Sequence, residues 1–158
     1  MTDVLSQTGG LAGLIRCGEG QKLELKRSLR QLNRALVALC GMLNANGGEA
    51  TIVFGVEPDG RVVGIDAANL ASARRSLSRA IQNNMEPRLR PRLEVSRLDG
   101  KTLLVLHAKR PPSVPLYECH GRTYIRVGSQ TLRMSAFERA ALTERRRGGA
   151  VGRRHTVP

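Results

Sequence analysis

The stretch of sequence that decides the fold is residues 44–56, which read Asn44-Ala45-Asn46-Gly47-Gly48-Glu49-Ala50-Thr51-Ile52-Val53-Phe54-Gly55-Val56. The paired glycines predict the end of a helix, because glycine accepts the left-handed backbone found at helix C-termini. Residues 50–56 are mostly apolar on both faces of the strand that they would form. We therefore expect a central strand that is covered on both sides.

Amphipathic helices are predicted on either side of this stretch. Ser28 and Gln31 have the spacing of a capping box, and apolar residues follow them at the i, i+3, i+4, i+7 spacing of one helical stripe. These apolar residues are Leu32, Ala35, Leu36, Leu39, Cys40 and Leu43. Asp66 is the predicted cap of a second long helix over residues 67–84, with a buried stripe of its own.

The strand predictions in the first half come from alternation and from turn residues. Residues 22–26 alternate as a half-buried strand does, with Leu23 and Leu25 toward the core and the polar side chains on the other face. Pro58-Asp59-Gly60 predicts a tight turn into a short strand over residues 61–65.

The second half predicts one hairpin, one further strand and one helix. Asp99-Gly100 between residues 92–98 and 101–109 is a strong hairpin signal. Residues 122–127 predict a last strand that directs Ile125 and Val127 into the core. A capping box at Ser135 and Glu138 predicts a helix, and its expected apolar side consists of Met134, Phe137, Ala141 and Leu142.

The charge of the chain points to an anionic partner. The formal net charge is +13 over 158 residues and the isoelectric point is about 11.3. Nucleic acid is the commonest polyanion bound by a basic domain of this size. The three cysteines have no C-x-x-C spacing, which disfavours a zinc or redox site.

The chain divides into three segments. We predict an N-terminal segment over residues 1–18, a folded domain over 19–144 and an Arg-rich tail over 145–158, which is expected to be disordered because it lacks core residues. No apolar run approaches the roughly 20 residues that span a bilayer, and no signal peptide is recognised. We therefore expect a cytoplasmic protein without a membrane partner.

Three motifs together resemble a known family. Glu19-Gly20-Gln21-Lys22-Leu23-Glu24-Leu25-Lys26 is similar to the E-x4-E-F-K opening of the Schlafen domain, also called the Alba-like divergent putative DNA-binding domain. Residues 43–48 with 52–56 are similar to its A-N-x-x-G-G…I-G-V signature, and residues 124–131 to its Y-I-R-x-G-S-x-T element. The resemblance implies an α+β Schlafen/Alba-like fold with a mixed β-sheet and hairpins packed against two or three helices.

The resemblance also implies a catalytic site, because Schlafen nucleases cleave transfer RNA with acidic residues of these motifs. The first two acids correspond to Glu19 and Glu24. The third position is occupied by Pro58, so Glu57 or Asp59 would have to replace it. Glu19, Glu24 and Asp59 are the predicted ligands of Mg²⁺ or Mn²⁺, which prefer oxygen donors and could activate water. The alternative is that Glu24 pairs with a neighbouring lysine on an exposed strand face.

Basic side chains on several elements are candidates for contact with nucleic acid. On the last predicted strand, a base could stack on Tyr124 while the flanking arginines meet phosphates; an ordinary solvent-facing row is the alternative. The candidate set comprises Lys22, Lys26, Arg27, Arg74, Arg75, Arg79, Arg122, Tyr124 and Arg126.

The sequence therefore predicts a nucleic-acid-binding domain of Schlafen type, acting as a metal-dependent endoribonuclease on structured RNA such as transfer RNA. Two alternatives stay open: a non-catalytic DNA-binding regulator, and an accessory protein that binds ATP or another nucleotide at Gly47-Gly48, although G-x-x-x-x-G-K-S is absent. RNA is favoured over DNA. Because two such lobes form a horseshoe in larger Schlafen proteins, we also expect a homodimer.

Overall fold

A mixed four-stranded sheet organises residues 10–152, the part of the chain that the computed structural model describes. The helices are α1 (Gly10–Cys17), α2 (Leu32–Asn44), α3 (Leu70–Asn84) and α4 (Ala136–Gly152), and 3₁₀ turns at Leu29–Gln31 and Ala67–Asn69 precede α2 and α3. The strands are β1 (Leu23–Lys26), β2 (Glu49–Phe54), β3 (Met85–Glu86), β4 (Arg92–Leu98), β5 (Lys101–Lys109), β6 (Glu118–Cys119), β7 (Tyr124–Val127) and β8 (Gln130–Arg133). The predicted α+β class is confirmed.

The order of the main sheet is β1-β2-β5-β4. Strand β1 is parallel to β2, because α2 connects them as a crossover, whereas β2 with β5 and β5 with β4 are antiparallel. Strand β2 thus has a partner on each side, and Ile52, Val53 and Phe54 are buried. The prediction of a central strand is confirmed.

Both faces of this sheet are covered. Ile52 and Phe54 belong to the larger apolar cluster, with side chains from α2 and α3. Leu25 and Val53 belong to a second cluster on the opposite face, which Ile15 of α1 closes. The face of β1 that carries Glu24 and Lys26 therefore also lies under a layer of protein.

In strand β1, the face that carries the polar side chains is covered as well as the apolar face. Leu23 and Leu25 face α1, as predicted, so that Glu24 and Lys26 point to the other face, beneath α2. The alternative interpretation of Glu24 is right about its pairing with Lys26 and wrong about an exposed face, because Glu24 is only 7% exposed. Alternation correctly separates the two faces, but it does not reveal that the polar face is covered as well.

The cover over β1 includes a hairpin that the sequence did not predict. Residues 122–127 were expected to form one strand, but β7 turns back through Gly128 (φ 61°) and pairs with β8. The faces of β7 are also reversed: Arg126 is buried at 3% exposure and Val127 is 58% exposed. The reason is that β7 pairs with β8 instead of the main sheet and lies against α2.

Close contact between α2 and this hairpin depends on Gly41. A Cβ atom at that position would lie 2.7 Å from Thr131 Cγ2 and 3.3 Å from the Arg126 backbone nitrogen. No side chain fits such a gap without movement of the hairpin. Gly41 therefore fixes how near β7 approaches the helix.

Three further predictions need correction. Residues 61–65 form no described strand, because only Val62 makes a β-bridge, to Val56. Phe137 is 83% exposed, since it projects from α4 away from the core. The Arg-rich segment is helical as far as Gly152 instead of disordered, and residues 153–158 lie outside the described residues. The division into three segments otherwise stays a prediction.

Other local predictions hold. Asp99 and Gly100 both have positive φ in the turn between β4 and β5. Ser135 and Glu138 exchange hydrogen bonds of 3.1 and 2.8 Å as a reciprocal capping box. The Asp66 carboxylate accepts a hydrogen bond from the Ala68 backbone N–H at 3.0 Å.

Candidate nucleic-acid interface

A concave surface that encloses a volume of about 380 Å³ lies where β1, α2 and the β7–β8 hairpin meet. We call this surface the cleft. Its lining residues are Glu24, Lys26, Asn33, Arg34, Val37, Ala38, Arg126, Ser129 and Thr131. Three cations and one carboxylate give it a net positive charge, and its volume lies in the range of small-ligand sites.

Glu24 lies at the centre of the ionic contacts in the cleft. Its Oε1 contacts the Lys26 ammonium, and its Oε2 lies 2.6 Å from the Arg126 Nη2. Both cations are themselves largely buried. A buried carboxylate is costly unless opposite charges surround it, and here two cations do so.

Arg126 is held by more than Glu24. Its Nε donates to the Gly20 carbonyl at 3.0 Å, and its Nη1 donates to Thr131 Oγ1 at 3.0 Å. Gln21 adds a link between β1 and the hairpin, because its amide donates to the Arg126 carbonyl at 2.9 Å and accepts from the Gly128 N–H at 2.9 Å. The cleft wall is therefore fixed by the fold before any ligand arrives.

Arg34 is the exposed cation of the cleft. It lies in the first turns of α2 beside Asn33, and both side chains are exposed. Among residues 10–149 its guanidinium has no ion pair and no hydrogen bond. The sequence reasoning missed Arg34, Asn33, Ser129 and Thr131 as site residues. The last two belong to the Y-I-R-x-G-S-x-T element, whereas nothing in the sequence distinguishes Arg34 from other helix arginines.

The acidic residues proposed as metal ligands do not converge. The Glu19 carboxylate accepts a hydrogen bond from the Leu25 N–H at 3.1 Å. Glu57 lies 2.9 Å from Arg27, and Asp59 accepts from the Arg61 N–H at 2.9 Å within its own turn. Within residues 10–152, no group of three or more His, Cys, Asp or Glu side chains is placed to hold a metal ion.

The residues present thus do not fit the Mg²⁺ or Mn²⁺ site that the family resemblance implies. Glu24 already has a cation at each oxygen, and Glu57 in the turn of residues 57–60 faces arginines of its own. The assignment of Glu19, Glu24, Glu57 and Asp59 to catalysis stays a prediction that this arrangement does not support.

The other predicted contact residues lie in several places. Lys22 pairs with Glu49 at 3.2 Å, and Arg27 pairs with Glu57. Arg122 is exposed, whereas Tyr124 packs against the larger apolar cluster and is only partly accessible.

Of the nine predicted residues, only Lys26 and Arg126 line the cleft. Arg74, Arg75 and Arg79 lie on α3, on a different surface.

Asn44, the asparagine of the A-N-x-x-G-G motif, is a structural residue. Its side chain is fully buried, donates to the carbonyls of Tyr117 and Tyr124 at 2.8 and 2.9 Å, and accepts from the Tyr117 N–H at 2.7 Å. It therefore ties the end of α2 to two later segments. The motif positions β7 without contributing a side chain to the cleft.

Arg146 explains why α4 continues through the Arg-rich segment. Its guanidinium donates to the Asn44 carbonyl at 2.6 Å and to the Pro115 carbonyl at 2.8 Å. Burial lowers the pKa of Arg146 to about 10, so that it stays charged at neutral pH. A cation at the C-terminus of α2 is also favoured by the helix dipole.

Comparison with known proteins agrees with this fold. A family model described as Schlafen, AlbA_2 matches residues 19–135, and no curated protein matches the chain. The structure is similar to the N-terminal domain of an ATP-dependent DNA helicase RecG-related protein from Nitrosomonas europaea, with a TM-score of 0.59, 22% identity, and coverage of 85% of this chain and 95% of that one.

It is also similar to the DIP2311 protein from Corynebacterium diphtheriae, with a TM-score of 0.57, 17% identity, and coverage of 78% of this chain and 24% of that one. The matched part is thus about a quarter of that longer protein. At these identities the likeness shows the fold alone. In the described residues, no helix has both the length and the apolar character needed to cross a membrane.

Proposed function

Since this chain belongs to the Schlafen, AlbA_2 family, we propose that it is a nucleic-acid-binding domain that receives the phosphodiester backbone in the cleft beside β1. The family assignment agrees with the three sequence motifs and with the net charge of +13. The family supports a nucleic-acid-related role. The cleft supplies the place where such a ligand can be held.

The observation that carries this proposal is the set of donors around the cleft. Arg34 and Asn33 project from α2, and Ser129 and Thr131 face them from the hairpin. Arginine, amide and hydroxyl groups are the side chains that commonly contact phosphate oxygens. Arg34 supplies the charge, because its guanidinium is exposed and has no described ionic partner.

Glu24 and Arg126 have a different part in this proposal. Their contact at 2.6 Å neutralises both groups and fixes the wall on which Ser129 and Thr131 stand. The proposed role is binding without metal-dependent cleavage, because Glu24 is surrounded by cations. RNA is the preferred ligand that the family resemblance implies, and homodimer formation stays a prediction.

The test measures binding and cleavage in the same samples. We expect labelled transfer RNA and duplex DNA to bind the protein, which is measured as a change in fluorescence anisotropy. The Arg34→Glu variant should bind about tenfold more weakly, and the salt dependence of its affinity should fall by about one phosphate contact. Arg16→Glu is the matched control, because it makes the same charge change on α1, on the opposite side of the sheet.

Two results would contradict the proposal. Equal losses of affinity in Arg34→Glu and Arg16→Glu would mean that only net charge matters. RNA cleavage in Mn²⁺ that disappears both in EDTA and in Glu24→Gln would instead support the nuclease that the sequence predicted. We expect intact RNA in every sample.

A further inference from the structure

A second basic surface lies beside β4, at the edge of the sheet opposite to β1. It consists of two adjoining hollows, of about 340 and 230 Å³, which share Ser78 and Gln82. No carboxylate lines either hollow. The charged residues that line them are five arginines, Arg74, Arg75, Arg79, Arg88 and Arg90. We call this surface the arginine groove.

The local sequence directs these arginines outward. On α3, Leu77 and Ile81 are buried against the larger apolar cluster, so Arg75 and Arg79, which are four residues apart, lie together on the exposed side. In the loop that leads to β4, buried Leu89 anchors the chain to the same cluster, while its two neighbouring arginines are exposed. The groove is thus a consequence of how α3 and this loop pack.

The charges of the arginine groove are not neutralised within the described part of the chain. None of its five guanidiniums has an ion pair or a hydrogen bond with residues 10–149. All five side chains are exposed. Several like charges around one concave surface produce a strong positive potential, which attracts a polyanion.

We propose that the arginine groove is a second binding site for the phosphodiester backbone of a nucleic acid, separate from the cleft. This goes beyond the proposed function, since other residues hold another segment of the ligand. The strand order places three interstrand spacings between β1 and β4, about 14 Å. One chain can therefore hold two short oligonucleotides, or two segments of a longer one.

The composition of the groove favours nucleic acid over a lipid surface. The planar guanidinium forms paired hydrogen bonds with phosphate oxygens, and all five cations here are arginines. Helices that bind membranes combine basic residues with exposed bulky apolar side chains. Among the described residues, the large exposed apolar side chains are Val95, Val127, Leu132 and Phe137, and none lines the groove.

The experiment counts oligonucleotides bound per chain. A labelled single-stranded RNA of about three nucleotides is about 10 Å long at the stacked spacing of roughly 3.4 Å per nucleotide, which is less than the separation of β1 and β4. Titration at protein concentrations above the dissociation constant gives the stoichiometry. We expect two RNA molecules per wild-type chain and one for the groove variant Arg79→Gln/Arg90→Gln. The control Arg16→Gln/Arg61→Gln removes the same number of charges, from α1 and from the exposed arginine that follows the turn of residues 57–60, and should still bind two.

Each outcome separates the two proposals. One RNA per wild-type chain with no effect of the groove variant would overturn the arginine groove and leave the cleft intact. Loss of all binding in the groove variant, with Arg34→Glu unaffected, would overturn the cleft as the main site. Binding of anionic lipid vesicles that the groove variant abolishes, with RNA binding unchanged, would show that the groove serves a membrane and would overturn this inference.

Discussion

The cleft beside β1 and the arginine groove beside β4 have the same sign of charge, but they hold that charge in different ways. In the cleft, Arg126 is buried and engages Gly20, Glu24 and Thr131. In the groove, all five arginines are exposed and have no described partner. The cleft thus combines a buried framework arginine with the exposed Arg34, whereas every arginine of the groove is a solvated charge.

Because the two surfaces hold their arginines differently, effects on stability and effects on binding have to be measured separately at each surface. Substitution of a buried, paired arginine changes stability first, and any loss of binding follows from that. Substitution of an exposed arginine should change binding with little effect on stability. Stability measurements on variants of the two surfaces therefore test whether the two kinds of arginine really differ.

The largest effect is expected for Arg126→Ala. The substitution removes the cation from Glu24 Oε2 and the donors to Gly20 and Thr131. Breaking a buried ion pair commonly costs about 3–5 kcal/mol, and we expect about 3 kcal/mol because Lys26 still faces Glu24. Urea unfolding monitored by circular dichroism measures the free energy of unfolding.

Arg79→Ala in the arginine groove is the matched control. Its guanidinium has no described partner, so we expect a change within about 0.5 kcal/mol. Similar stability losses in the two variants would remove the distinction between the surfaces. The triple variant Glu24→Leu/Lys26→Met/Arg126→Met tests the distinction further, because replacing every charge of the buried cluster by apolar groups should cost less than removing one charge.

A smaller effect on stability is expected for Gly41→Ala, because the added methyl group would push against the hairpin that forms one wall of the cleft. The new Cβ would lie 2.7 Å from Thr131 Cγ2, so the hairpin has to move away from α2. Overpacking of this kind costs about 1–3 kcal/mol, and the higher helix propensity of alanine offsets up to about 1 kcal/mol of that. We expect a net loss of about 1 kcal/mol of stability in thermal or urea unfolding.

Gly148→Ala supplies the control for helix propensity. This glycine lies in α4, and a Cβ atom added there would have no neighbouring atom within 4 Å. Alanine should therefore stabilise the protein by up to about 1 kcal/mol. Opposite signs at the two glycines would confirm that Gly41 serves a close approach. A stabilising effect at Gly41 would contradict the packing described between α2 and β7.

Much of the fold follows from local patterns in the sequence. The apolar stripe of α2, the Asp99-Gly100 turn and the capping box at Ser135 each depend on neighbouring residues, and each is present. The alternation in β1 correctly places Leu23 and Leu25 toward a core. Local physical chemistry decides these features, so one sequence is enough to predict them.

The candidate site depends on contacts between distant segments, which the sequence reasoning could not supply. Glu24 is buried because a hairpin that lies about 100 residues later in the chain covers it. In that hairpin, Arg126 Nη2 donates a hydrogen bond to the carbonyl of Leu23, and these two residues are 103 positions apart in the sequence. Strand β8 was not predicted because Leu132 is the single apolar residue among its four. Arg34 is a candidate because the distant hairpin residues Ser129 and Thr131 line the same cleft.

The central claim is that nucleic acid binds in the cleft beside β1, and amide chemical shifts measured during a titration test it most directly. With ¹⁵N-labelled protein and a short single-stranded RNA, we predict the largest shifts at Arg34, Ser129 and Thr131, with a second group at Ser78 and Gln82 in the arginine groove. Shifts confined to α1 and the turn of residues 57–60, with the cleft unchanged, would contradict the account.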